Sequence, residues 1–276
     1  MSSPSLERLM RAALLALIPL SPAVASPAAD RIGELTPVAG EIDARTIALR
    51  AENSLRADRT YMRARVTVRS PDGSDERVIE FESWNDRIER RSFLRILAPD
   101  SDAGVALLNL PPNLWSYQPE TERTQRILPS AFLEPWMGSD FAIADLIDPS
   151  SDIEDYAVEL LGVEGHPEGA TGARSHVVQY TPTAAARVAW GRIVAWIDTE
   201  GGVPMRQEFY DASGKRLRTI HFGDVRAIGD RRVPYHWKAI PAGEKGRESI
   251  LEIRELRFEA AFEDRIFTTQ NLKPRP

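Results

Sequence analysis

From Tyr61 to Arg69 apolar and polar side chains alternate, with Met62, Ala64, Val66 and Val68 pointing one way and Arg63, Arg65, Thr67 and Arg69 the other. A period of two is that of a β-strand with one buried and one wet face. Pro71-Asp72-Gly73 supplies a turn, and Arg77–Trp84 reads as the returning strand. Similar runs recur at 88–97, 104–110, 113–119 and 122–128, then at 155–164, 174–182, 191–199, 203–211, 215–227, 232–240 and 248–258. Glu200-Gly201-Gly202, Ala212-Ser213-Gly214 and Gly243-Glu244-Lys245-Gly246 mark turns between them. The pattern predicts a mainly β chain of about 11–12 antiparallel strands. Ahead of it, Ile42, Ile47, Leu49 and Leu55 suit one amphipathic helix over 41–59. Residues 129–149 break the strand pattern: Pro129, Pro135 and Pro149 bracket Ala131-Phe132-Leu133 and Phe141–Leu146, which read as short helices.

So long a meander must curl, and few helices are on hand to cover its inner face. The expectation is a sheet that curls or closes around a hollow, with an N-terminal helix and short central helices that cover only part of it. Trp115 and Tyr117 share one face of a strand, and Trp136-Met137 lie in the segment placed to fold over the opening. Two readings of these aromatics stand side by side: the lining of a hollow, or the filling of an ordinary β core.

The first residues read differently. Arg8 and Arg11 precede an apolar run over Ala12–Leu20, and Ala23-Val24-Ala25 supplies a small-x-small cleavage signal. Residues 1–25 are therefore expected to be a signal peptide cut after Ala25, the run being far short of the roughly 20 residues that span a bilayer. Residues 26–40 are rich in Pro, Ala and Gly and read as a flexible leader, and truncating residues 26–36 should leave stability nearly unchanged. The folded domain is placed at 41–276. A net charge of -6 argues against nucleic acid as a partner, and the lack of any cysteine excludes thiolate metal sites, thiol catalysis and disulfides.

Constellations that carry chemistry are scarce. Four histidines occur, and only His221 and His236, with Asp224, could meet across neighbouring strands as a metal site; ordinary sheet positions explain them as well. Gly138-Ser139 does not continue into a nucleophile elbow, and neither GxGxxG nor a phosphate-binding loop is present. Asp140 with Asp145, or Glu80 with Glu82, could serve as paired carboxylates, although acids on a wet face are commoner. The reading is a protein that is not an enzyme, with no cofactor and no metal. Ser139 or Asp140 is expected to cap the short helix near Phe141, with Gly138 giving it a tight entry.

Phe93-Leu94-Arg95-Ile96-Leu97-Ala98-Pro99 with Gly104, Trp115-Ser116-Tyr117-Gln118-Pro119, Arg126-Ile127 and, most specifically, Met137-Gly138-Ser139-Asp140-Phe141 with Asp145-Leu146 resemble the LolA-like outer-membrane lipoprotein-sorting proteins. Ile197-Asp198, Val203-Pro204-Met205, Glu208-Phe209-Tyr210-Asp211, Gly214-Lys215, Val233-Pro234 and Phe267-Thr268 extend the resemblance over Tyr61–Leu272. The resemblance implies a half-open antiparallel β-barrel, with an N-terminal helix and short lid helices, whose apolar concave face holds acyl chains. It implies a monomeric periplasmic carrier of a lipid or lipoprotein, served by an inner-membrane exporter of the RND or ABC type. Phe93, Leu107, Trp115, Tyr117, Trp136, Met137 and Phe141 are the candidate cavity residues, and Gly138, Ser139 and Asp140 the candidate lid hinge. The alternatives are an envelope sensor that binds lipid or lipoprotein and a membrane partner, and a secreted hydrolase.

Overall fold

The computed structural model describes residues 35–36, 43–128, 131, 134–147, 153–165, 174–184, 186 and 190–273. The expected signal peptide, most of the leader, Phe132, Leu133, Pro149 and His166 lie outside the described residues. One helix, α1 (Ala44–Leu55), precedes β1 (Arg59–Arg69), β2 (Glu76–Asp86), β3 (Arg91–Ala98), β4 (Ala106–Leu110), β5 (Asn113–Gln118) and β6 (Arg123–Ile127). A short helix, α2 (Ile143–Ile147), then leads to β7 (Tyr156–Gly165), β8 (Arg174–Pro182), β9 (Arg192–Asp198), β10 (Pro204–Tyr210), β11 (Arg216–Ile228), β12 (Arg231–Pro241) and β13 (Glu248–Phe258).

All thirteen strands join one sheet in the order β6-β5-β4-β3-β2-β1-β13-β12-β11-β10-β9-β8-β7. Every neighbouring pair is antiparallel. The sheet is not closed, because β6 and β7 end it on opposite sides. Register shifts at Arg63/Ala64, Glu80/Phe81, Leu160/Gly162 and Phe209/Tyr210 add local twist, which lets so wide a sheet curl.

Helix α1 is shorter than the expected 41–59. Asp43 caps it, its carboxylate accepting from the backbone of Arg45 and Thr46 and from the Thr46 hydroxyl at 2.9 Å. Arg56 is already extended, so the chain passes directly into β1. On the concave side Ile47 and Ala51 of α1 pack on Val178, Ala195 and Ile197 of β8 and β9. The leader also adds one contact to the edge: Thr36 bridges Val163 of β7 through backbone hydrogen bonds of 2.9 and 3.0 Å. Deleting residues 26–36 should therefore lower stability by about 1–2 kcal/mol, the net worth of two such bonds, which urea denaturation of the truncated chain would measure.

The sheet buries both faces at its β2–β5 end. Leu94, Ile96, Leu107 and Leu114 face the concave core with Ile79 and Phe81. Their neighbours Phe93, Ala106, Leu108, Trp115 and Tyr117 form a second cluster, on the opposite face by strand parity, with Phe267 and Leu272. Phe267 and Leu272 come from two 3₁₀ turns, Asp264–Phe267 and Thr269–Leu272, and are buried. Arginines fasten this C-terminal segment: Arg59 donates to the Phe262 carbonyl at 2.7 Å, Arg91 pairs with Asp264 at 2.7 Å, and Arg95 donates to the Asn271 carbonyl.

Candidate functional site

The concave face holds a cavity of about 550 Å³. Its walls are largely apolar: Met62 on β1, Phe209 on β10, Ile220 and Phe222 on β11, Trp237 on β12, and Ile253 and Leu256 on β13. Ala48, Ala51 and Leu55 of α1 line it together with Ala144 and Leu146 of α2. Phe222 and Trp237 meet edge to face at 5.5 Å, as do Trp190 and Phe209 at 5.0 Å. Burial raises the Tyr180 phenol well above its ordinary pKa, with the nearby Glu52 carboxylate adding to the shift, so this wall is a poor place for an isolated charge.

The segment over the sheet is built from residues 134–147. Its chain reverses tightly: Trp136 and Phe141 bond backbone to backbone at 2.8 Å, and Met137 and Gly138 take positive φ values of 51° and 75°. Glycine is at ease in that region and methionine is not, so the turn is held from outside. Arg77 donates to the Met137 carbonyl at 3.1 Å and Arg247 to the Gly138 carbonyl at 3.0 Å. Ser139 fastens the reversal from within, its hydroxyl donating to the Trp136 carbonyl at 2.7 Å. Trp136 lies edge-on to Phe81 at 5.3 Å, and Phe141 is fully buried.

Two carboxylates anchor this segment, and each does so through an arginine. Asp140 accepts from Ser249 Oγ at 2.6 Å and from Arg247 Nε at 2.9 Å. It does not cap the helix; the expected capping role is corrected by these contacts, because α2 begins only at Ile143. Asp145 is the residue that serves the start of α2, its carboxylate accepting from the Ala142 N–H at 2.7 Å. The same carboxylate takes both Arg218 nitrogens, at 2.5 and 2.8 Å, while Arg218 also donates to the Asp140 carbonyl at 2.9 Å. The guanidinium lies 4.3 Å from the Phe209 ring centre and 5.1 Å from that of Trp190. Asp140→Asn is therefore expected to cost about 1.5–3 kcal/mol, the range for a hydrogen bond to a charged partner, rather than the small change that one cap exchanged for another would give; urea titration distinguishes the two.

The sequence-predicted cavity residues separate into two groups. Leu107, Trp136, Met137 and Phe141 do belong to the concave side, as the packed floor and cover of its core rather than as cavity wall. Phe93, Trp115 and Tyr117 lie in the cluster on the other face, under the C-terminal turns, and their placement in the hollow is corrected. Trp115 and Tyr117 do share a face, as read, but it is Leu114 that looks into the concave core. Of the six tryptophans, only Trp190 and Trp237 line the cavity. The wall residues of β10–β13 carry no signal of their own, because alternation marks which residues share a face and not which face turns inward.

Three of the four candidate carboxylates pair with arginines. Asp140 and Asp145 hold arginines, and Glu80 binds Arg65 at 2.6 Å, which lowers its pKa. His221 stands opposite Lys238 and His236 opposite Gly223, so the two histidines do not share a cross-strand position. Among the described residues no group of three or more His, Cys, Asp or Glu side chains could hold a metal ion.

A family model with only the description "Uncharacterized protein" matches residues 89–274. The chain belongs to this family. Solved structures relate it further. A domain assigned to outer membrane lipoprotein sorting in Vibrio parahaemolyticus is 23% identical, with a TM-score of 0.71 over 84% of this chain and 100% of that one. A LolA superfamily protein from Nitrosomonas europaea is 20% identical over 84% and 100% of the two chains, again with a TM-score of 0.71. A DUF1329 family protein from Desulfovibrio piger gives 18% identity, 83% and 98% coverage and the same TM-score. The fold is LolA-like. No curated protein matches the chain.

Proposed function

We propose that this protein is a periplasmic carrier that shelters the acyl chains of a lipid or lipoprotein between an inner-membrane exporter and the outer membrane, without chemistry. The observation that carries this reading is the apolar cavity of about 550 Å³ between the curled sheet, α1 and α2. Its volume falls in the range of small-ligand sites, about 300–1,000 Å³. Transfer of a methylene from water to such a wall is worth about 0.8 kcal/mol, so a chain of ordinary length gains far more by entering than thermal energy can oppose. Release then needs a competitor or movement of the covering segment, and Asp140 and Asp145 are the points at which that segment is fastened. The LolA-like fold and the export signal expected in residues 1–25 support the periplasmic route. A fluorescent fatty-acid analogue tests the reading. Saturable uptake, reversed by added lysolipid, is expected; a folded protein that takes up no amphiphile would refute it.

A further inference from the structure

The cavity is not uniformly apolar. Thr60, Asn85, Ser92 and Asn109 stand opposite one another in register across β1, β2, β3 and β4. All four share the concave face with Met62, Phe81, Leu94 and Leu107, each two or four residues along its own strand. The four form a polar row across an otherwise aliphatic surface, where β-branched and leucine side chains would pack better. Ser92 is satisfied by the Ile147 carbonyl at the end of α2, and Thr60 accepts the Ala57 N–H at 3.3 Å. Asn109 is 2% exposed, lines the cavity, and its Nδ2 has no hydrogen-bond partner among the described residues. An amide donor left unmatched in such a place costs about 1–3 kcal/mol unless something in the cavity accepts from it.

Cationic side chains continue the row outward. The β2–β3 turn brings Arg87 and Arg90 to the cavity beside Asn85, and the β4–β5 turn brings Pro111 and Pro112 beside Asn109. Arg90, Pro111 and Pro112 are exposed, so this is a rim open to water. Arg87 donates to Asp58 at 3.0 Å. The cavity is also lined by carboxylates: Glu52 on α1 beside Arg56, Asp145 on α2 against Arg218, and Asp155 in the Ile153–Asp155 turn.

We propose that Asn85, Asn109, Arg87 and Arg90 form a head-group subsite, and that the ligand is an amphiphile with an anionic head rich in acceptor oxygens, a carboxylate or a phosphate ester. Its chain lies against Met62, Ile220 and Phe222. This inference rests on the carrier reading and narrows it to a ligand class with a fixed orientation.

The test is competition by single-chain amphiphiles against a neutral fluorescent chain probe: hexadecanoate and a lysophosphatidylglycerol on one side, hexadecanol and hexadecyltrimethylammonium on the other. At least one anionic chain should bind about tenfold more tightly than hexadecanol, the worth of one hydrogen bond to a charged group. Which anionic chain is preferred tells carboxylate from phosphate. Asn109→Leu should remove most of that preference and leave hexadecanol binding intact. Asn109→Asp, which keeps the shape and adds a like charge, should do the same and serves where the leucine variant does not fold. Equal affinity for charged and neutral chains, or a preference untouched in Asn109→Asp, overturns the subsite while leaving the carrier in place. Failure of every chain to bind overturns both.

Discussion

Asp145→Ala is expected to lower the stability of the fold by about 3–5 kcal/mol, the cost of stranding one member of a buried ion pair. The Arg218 side chain is 8% exposed and that of Asp145 13%, and their two contacts of 2.5 and 2.8 Å form a bidentate pair. Removing the carboxylate leaves a guanidinium between Phe209 and Trp190 with the Asp140 carbonyl as its remaining hydrogen-bond acceptor. It also takes away the acceptor of the Ala142 N–H, just ahead of α2. The double variant Asp145→Leu with Arg218→Met should recover most of the loss, since well-packed apolar residues replace such pairs at little cost. Urea denaturation measures both. A loss under about 1 kcal/mol in the single variant, the level of a surface ion pair, would mean that the pair does not hold the covering segment down.

Phe93→Ala and Phe222→Ala should fail in different ways. Phe93 is fully buried in the outer cluster, so truncation leaves a hole and should cost about 3–5 kcal/mol of stability. The affinity of the surviving folded protein for a fatty-acid probe should not change, because Phe93 is on the far side of the sheet from the cavity. Phe222 lines the cavity against Trp237. Its removal should weaken probe binding by about tenfold or more, as the loss of an aromatic contact worth about 1.5–3 kcal/mol requires. A probe affinity that falls in Phe93→Ala and holds in Phe222→Ala would place the binding surface on the wrong face.

That exchange of faces is where sequence reasoning reaches its limit. Alternation located every strand within a few residues, because a period of two is a local property that the backbone imposes on each segment separately. The sheet's inner face is not local. Over β3–β5 both faces are buried, one under the α2 segment and one under residues 264–272, so Trp115 and Leu114 carry equally apolar signals. The 3₁₀ turns at 264–272 have no periodicity long enough to announce themselves, so nothing local in the sequence marks the outer cluster. The block from Met137 to Phe141 did stand out in the sequence and does form the tight reversal over the core. Its partners did not stand out, since Asp140 meets Arg247 from 107 positions away and Asp145 meets Arg218 from 73. The polar row at Thr60, Asn85, Ser92 and Asn109 is likewise visible only once four strands are in register.

The central claim is that the concave cavity holds an amphiphile in life. Native mass spectrometry of the protein, purified without detergent from cells that produce it in full length, tests this most directly. The account predicts a mass above that of the chain, returned to the bare mass after solvent extraction, with the extract containing an acyl lipid. A protein that is uniformly at its bare mass, and that stays so after incubation with lysolipid, would contradict it.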